Sequence, residues 1–239
     1  MTTISCEAGQ LKKFIDSIRT MDDECRLHFS ADGISTSLVN RENVAMVLVN
    51  YPASAMKMYK FNKTCPEKVA VNWSKFPKLL SEANEHTPVT VNFTKDRVTI
   101  SYGQIKACVK YIEEMSVKKD AIPLPKMILN GAFEVDGTTL ARFNRVLVSD
   151  KVKLAVKNGI VTIESYENSD EHVKKILATD AKKGEFKSLY SWDYLKEISK
   201  VLNGAYVAVN FDTDHPLKME STVNGIQVTY LLAPRIESS

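Results

Sequence analysis

The sequence predicts an α+β protein made of two similar domains, each combining short strands with two helices. Three observations carry this. Most of the 239 residues fall into short segments rich in Val, Ile, Thr and aromatic residues, separated by turn chemistry. Only four stretches have helical periodicity. The second half repeats the first in the same order: Leu11–Ile18 matches Leu140–Leu147, with apolar residues at the first, fourth and eighth positions and basic residues opposite. Asp32-Gly33-Ile34 then matches Asn158-Gly159-Ile160, and Val89–Phe93 matches Val207–Phe211. The separation shrinks from 129 to 126 to 118 residues, as small loop deletions in one copy would produce.

The elements follow in order. Thr2-Thr3-Ile4 reads as the start of a strand and Leu11–Ile18 as the first helix. Strands are expected at Arg26–Ser30, Ile34–Val39, Val44–Asn50, Val69–Trp73, Val89–Thr94, Val98–Tyr102 and Ile105–Ile112. The second helix is expected over Lys75–Ala83. Ser74 would be its N-cap, Pro77 would sit in its first turn, and Phe76, Leu79, Leu80 and Ala83 would form its apolar face. Glu113–Lys126 breaks the pattern with two prolines and mixed charge, which reads as an extended linker. The expected division is therefore a domain over 1–112, a linker over 113–126 and a second domain over 127–239.

After the linker come the helix Leu140–Leu147 and strands at Val152–Val156, Ile160–Ser165, Val173–Thr179 and Glu185–Leu189. The last helix, Trp192–Leu202, has Ser191 as its N-cap, Leu195, Ile198 and Leu202 on its apolar face, and Asn203-Gly204 as its stop. Strands at Tyr206–Phe211, Leu217–Thr222 and Gln227–Leu232 close the chain.

Composition and motifs narrow the function. With 44% hydrophobic and 26% charged residues, the chain is an ordinary globular one. It has no run of about 18 apolar residues and no basic-then-apolar leader, so an intracellular protein is expected. The four cysteines (Cys6, Cys25, Cys65, Cys108) form no Cys-x-x-Cys pair, and the four histidines have no ligand spacing, so no metal or cofactor is expected. There is no glycine-rich phosphate loop and no Gly-x-Ser-x-Gly elbow, so the chain does not read as an enzyme.

The positive signal is the polar side of the helices. The first carries Lys12, Lys13 and Arg19, the second Lys75 and Lys78, the third Arg142 and Arg145, and the fourth Lys196 and Lys200. One amphipathic helix needs solvated charges of some sign, and that alone would explain any single case. Four basic helices in a chain of net charge +3 point to a shared anionic partner, contacted through phosphates without sequence reading.

The end of the chain is the most specific stretch. Tyr230-Leu231-Leu232-Ala233-Pro234-Arg235-Ile236-Glu237 closes a strand and then places an isolated apolar residue beyond it. It resembles the C-terminal Tyr-x-Leu-Ala-Pro-[Lys/Arg]-Ile-Glu of the DNA sliding clamps of the proliferating cell nuclear antigen family. Leu11-Lys12-Lys13, Asp32-Gly33-Ile34 with Asn43–Val47, and Tyr190–Leu202 are similar to other segments of that family, so the resemblance spans the chain.

The resemblance implies the DNA clamp fold, with two similar domains of antiparallel sheets and two helices each, assembling into a three-subunit ring around duplex DNA. It implies a processivity factor that docks a DNA polymerase, a clamp loader, a ligase and a nuclease through short motifs. By the match, Lys12, Lys13, Arg19, Lys78, Arg142, Arg145 and Lys200 face phosphates; Lys75 and Lys196 join them from helix geometry. The matching positions for a partner peptide are Val39, Val44, Met46, Ile122, Pro123, Pro216, Leu231, Ala233, Pro234 and Ile236. Subunit contacts would come from strands near Ile105–Ile112 (Lys106, Cys108, Lys110) and His172–Thr179 (Val173, Lys175, Leu177). Lys106, Lys110, Lys174 and Lys175 either crowd near that junction or all stand solvated on the outer face.

The alternatives are one subunit of a heterotrimeric or checkpoint-type ring, and a monomeric clamp-like regulator. The expected location is cytoplasm or nucleoid for an archaeal or viral source and the nucleus for a eukaryotic one. The chain departs from the family in its slightly basic balance and in Lys118-Lys119-Asp120, where the family's linker is acidic.

Overall fold

A computed structural model describes residues 1–63, 66–117, 127–167, 171–181 and 184–236. The chain divides into two compact units. The first takes the described residues of Met1–Arg41, Val47–Ile122 and Val223–Val228; the second takes those of Glu42–Met46, Pro123–Thr222 and Thr229–Ser239.

The first unit runs β1 (Thr2–Glu7), α1 (Ala8–Arg19), β2 (Glu24–Ser30), β3 (Gly33–Val39), β4 (Ala45–Pro52), β5 (Met58–Lys60), β6 (Lys68–Asn72), α2 (Phe76–Leu79), β7 (Pro88–Phe93), β8 (Arg97–Tyr102) and β9 (Ile105–Lys110). Its strands lie in the orders β5-β1-β7-β8-β9 and β4-β3-β2-β6. The second unit runs β10 (Gly131–Asp136), α3 (Gly137–Phe143), β11 (Lys151–Lys157), β12 (Ile160–Tyr166), β13 (His172–Ala178), β14 (Glu185–Ser191), α4 (Trp192–Leu202), β15 (Tyr206–Phe211), β16 (Leu217–Val223) and β17 (Ile226–Leu232). Its orders are β10-β15-β16-β17 and β13-β12-β11-β14.

The repeat read in the sequence is thus a repeat of topology. Strands β1, β7, β8 and β9 hold the places of β10, β15, β16 and β17, while β4, β3, β2 and β6 hold those of β13, β12, β11 and β14. The register refines one sequence match. His28 pairs with Ser35 as Ala155 pairs with Thr162. Ser35 therefore corresponds to Thr162, one residue beyond the position that the Gly-Ile match gives.

Each unit buries aromatic side chains where its helices meet its strands. In the first, Phe14 of α1 lies 5.7 Å from Tyr51 and 6.1 Å from Trp73, and Trp73 lies 4.5 Å from Phe76. Phe29 of β2 meets Phe93 of β7 at 4.8 Å, which joins the two strand sets. In the second, Phe143 and Trp192 meet edge-on at 5.6 Å, and the Trp192 Nε1–H donates to Asn144 Oδ1. Burial of each such side chain contributes about 1.5–3 kcal/mol.

Two helices differ from expectation. α2 is one turn, Phe76–Leu79, with Lys75 at its N-cap. Ser74 does not cap it: its hydroxyl donates to Asn72 Oδ1 at 2.6 Å, closing a turn after β6. Phe76, Leu80 and Ala83 are buried as the sequence pattern demands, so burial rather than helix holds the segment. α3 begins three residues early, because the Asp136 carboxylate accepts from the Thr138 N–H at 2.8 Å, and it ends at Phe143. Arg145 and Val146 lie in the turn beyond it, and Val146 is exposed. By contrast α4 has the expected bounds, with Gly204 (φ +83°) just past its end.

Candidate clamp surfaces: helix faces, groove and edges

The basic side chains differ in how free they are. Lys75, Lys78, Arg142, Arg145 and Lys200 are exposed, whereas Lys12, Lys13, Arg19 and Lys196 are half-buried. Lys12 Nζ donates to the Ala83 carbonyl at 2.5 Å, tying α1 to the segment after α2. Arg19 pairs with Asp23 at 2.6 Å and Lys200 with Glu197 at 2.6 Å. Burial raises the Asp16 carboxyl on α1, against the opposing pull of Arg19, Lys13 and Lys12. The two units anchor their first helices alike. The Ala8 N–H donates to Thr87 O at 2.9 Å, and the Gly137 N–H donates to Ala205 O at 2.8 Å.

The residues matched to a partner groove fall in three places. Val44, Met46, Pro216, Leu231, Ala233, Pro234 and Ile236 all belong to the second unit. There the Ala233 N–H donates to Val44 O at 2.8 Å, which fixes the chain as it leaves β17. Val44, Met46, Pro216, Ala233 and Pro234 are half-buried, Leu231 is buried and Ile236 is 88% exposed. Val39 belongs to the first unit, where it lines a hollow of about 240 Å³ with Arg26, Ser37 and Val117. Ile122 and Pro123 lie outside the described residues.

A tail anchor invisible in the sequence follows the groove. The Arg235 N–H donates to Leu189 O at 2.7 Å, and its guanidinium meets Asp150 Oδ2 at 2.9 Å. The Arg235 hydrogen bond holds the Asp150 carboxyl below its usual range, against the opposing effect of desolvation. A carboxyl depressed in the folded state contributes above its unfolded pKa and loses that contribution as pH falls through the folded value. The Arg235 side-chain NMR signal is therefore expected to hold steady down to about pH 4 and to move below it. A signal that already shifts between pH 7 and pH 5 would refute the anchor.

Both strands matched to subunit contacts are edges. β9 ends one strand set of the first unit and β13 ends one of the second, each paired on one side only among the described residues. The side chains divide by face. On β9, Lys106, Cys108 and Lys110 are exposed while Ile105, Ala107 and Val109 are half-buried. On β13, His172, Lys174 and Ile176 are exposed while Val173, Lys175 and Leu177 are half-buried. Leu177 reaches the unit's apolar core beside Leu140, Leu154 and Trp192, and Lys175 Nζ lies 3.4 Å from Thr139 O. The residues expected on β9 and those expected on β13 thus lie on opposite faces of their strand sets. On β13 the half-buried face is that of Val173 and Leu177, and on β9 it is that of Ile105, Ala107 and Val109. Their alternation with Lys106, Cys108 and Lys110 was the available signal.

Among the described residues no group of three or more His, Cys, Asp and Glu side chains could hold a metal ion. Cys6 and Cys25 are buried and Cys108 is exposed; Cys65 lies outside the described residues.

Comparison with known proteins decides the family. The family model for the proliferating cell nuclear antigen, N-terminal domain, matches residues 4–123. The chain belongs to the proliferating cell nuclear antigen family. Two full-length relatives of the family are the DNA polymerase sliding clamps of Methanocorpusculum labreanum and Methanothrix thermoacetophila. Each is 29% identical to this chain, the first over 100% of both chains and the second over 97% of both. The fold matches the A. fulgidus PCNA structure bound to the C-terminal region of FEN-1, with TM-score 0.89, 23% identity and full coverage of both chains. It also matches PCNA from Thermococcus kodakaraensis, with TM-score 0.86 and 21% identity over 98% of this chain and 100% of the other.

Proposed function

We propose that this protein is a DNA sliding clamp: a ring of three copies that encircles duplex DNA, keeps a polymerase on its template and docks other replication proteins. The observation that carries this is the repeated unit with two complementary edges. β9 holds the place of β17, and β13 that of β4. The chain near those two strands is already bonded within each unit, through Ala233 N–H to Val44 O in the second and Asn50 Nδ2 to Gln227 Oε1 (2.9 Å) in the first. Pairing β9 of one copy with β13 of the next would repeat that arrangement and satisfy both edges. Side chains on one face would then continue across the junction, Ile105, Ala107 and Val109 meeting Val173 and Leu177.

A closed ring needs no tight grip. Exposed Lys75, Lys78, Arg142, Arg145 and Lys200 supply weak, sequence-independent attraction to phosphates, which permits sliding. The test is retention. Loaded clamps should remain on nicked circular DNA through gel filtration and leave once the circle is cut. Equal loss from circular and linear DNA would refute encirclement.

Val44, Met46, Pro216, Ala233 and Pro234 suit the apolar end of a short partner helix. Pro234→Asp is expected to weaken a Gln-x-x-Leu-x-x-Phe-Phe peptide about tenfold or more, or ~1.4 kcal/mol, with assembly intact. Titration calorimetry showing unchanged affinity would remove the groove from that role.

A further inference from the structure

The two units carry the same strand set, yet among the described residues one exposed face is covered and the other is not. In the first unit the chain leaves β9 and runs back over β6, β2 and β3. The Ile112 N–H donates to Ala70 O at 3.1 Å. Arg26 Nη2 donates to Glu114 O at 2.9 Å, and Arg26 Nε meets Glu114 Oε1 at 3.0 Å. Ser116 and Val117 continue beside Arg26, Ser37 and Val39. An apolar residue followed by two acids thus covers this face.

The register locates the same place in the second unit. Arg26 pairs with Ala70 as Lys153 pairs with Leu189, so Lys153 stands where Arg26 does. The Arg235 N–H donates to Leu189 O just as Ile112 N–H does to Ala70 O. Among the described residues no chain then crosses the face, which holds a hollow of about 710 Å³.

The hollow follows from side-chain lengths along three rows. One row is ionic: Glu164 accepts from Lys174 at 2.6 Å and from Lys153 at 3.0 Å. Burial alone would raise the Glu164 carboxyl, but these two lysines outweigh it and hold it low. The opposite row is Ile160, Lys157 and Glu185, with Lys157 and Glu185 3.6 Å apart. Between them run Ile176, Thr162, Ala155 and Lys187, in register across all four strands. Short Thr162 and Ala155 make a floor between walls of long side chains. Ile176, 57% exposed, stands at one end and exposed Lys187 at the other. Four lysines and two glutamates line the trough, leaving it cationic. Its four strands span about 14 Å, the length of four or five extended residues.

We propose that this trough is a second docking groove, for an extended acidic segment of a partner protein. Carboxylates would lie toward Lys187 and Lys153 at the β14 side, as Glu114 lies over Arg26 in the first unit, and an apolar side chain further along the segment would lie against Ile176 on β13.

The probe is the chain's own covering sequence, a fluorescein-labelled Tyr-Ile-Glu-Glu-Met-Ser-Val peptide, titrated with the full chain by anisotropy at low salt. Saturable binding is expected, at least tenfold weaker with Lys187→Glu and with Ala155→Glu, whose thermal unfolding should match the parent. It should also be lost when both peptide glutamates become glutamine, and be unchanged by Pro234→Asp, which separates it from the Val44–Pro234 groove. No saturation up to about 1 mM, or parental affinity retained by either trough variant, would overturn the proposal. So would binding that appears only after residues 237–239 are removed, because the chain's own tail would then be the occupant. The assignment stands apart from the ring: a monomer that binds the peptide keeps the groove and loses the clamp.

Discussion

Val109→Asp is expected to convert the proposed trimer into single chains at micromolar concentration, read as a fall to one-chain mass by light scattering. Val109 is on β9, half-buried and paired across the sheet with buried Val98. In the ring its row would meet Val173 and Leu177 of the next copy. A carboxylate there would be desolvated without a partner, which costs several kcal/mol per junction, and three junctions would close the proposed ring. Lys110→Asp is the internal control. It lies one residue away on the exposed row, beside Arg97, and should leave the ring intact. A trimer that tolerates both would refute β9 as the junction, and one lost only with Lys110→Asp would place the junction on the exposed face of β9.

Gly137→Ala is expected to lower the melting temperature of the second unit by more than about 10 °C, near the top of the ~1–3 kcal/mol range for overpacking. A Cβ on Gly137 would lie 2.0 Å from the Leu202 carbonyl oxygen and 3.1 Å from that of Ala205. Both atoms are backbone at the end of α4, so no side chain can turn aside. α3 would have to lift away from α4, opening the Phe143–Trp192 contact. The equivalent place in the first unit is Ala8, which makes the same hydrogen bond and is buried without harm. The demand for glycine is therefore specific to α3 and α4. A melting curve displaced by only a degree or two would show that the helices can part cheaply.

Much of this architecture was legible in the sequence where a local rule and burial agreed. In α4, Trp192, Leu195, Ile198 and Leu202 are buried at helical spacing, and Asn203-Gly204 ends the run. The strands behave likewise, because alternation and turn residues are local signals. α2 failed because Phe76, Leu80 and Ala83 have the right spacing for a helix yet are buried equally well by one turn and a loop. α3 failed at its start because Gly137, Thr138 and Thr139 are poor helix formers. The Asp136 cap and contact with α4 override that preference.

The candidate surfaces divide in the same way. Basic residues on the helices and the Ala233-Pro234 tail could be picked out as residue types in a pattern. Their engagement could not: Lys12 ties to Ala83, Arg19 to Asp23, and Arg235 to Asp150 across 85 residues of chain. The sequence by itself determined the duplicated order of strands and helices, the four amphipathic stretches and the family, since each rests on periodicity or on a contiguous motif. Only the tertiary structure decided which face of β9 and β13 looks inward, where α3 and α4 touch, and that among the described residues one strand set carries its own covering segment while its twin presents a cationic trough. Those features depend on pairings between residues far apart in the chain, which no local pattern encodes.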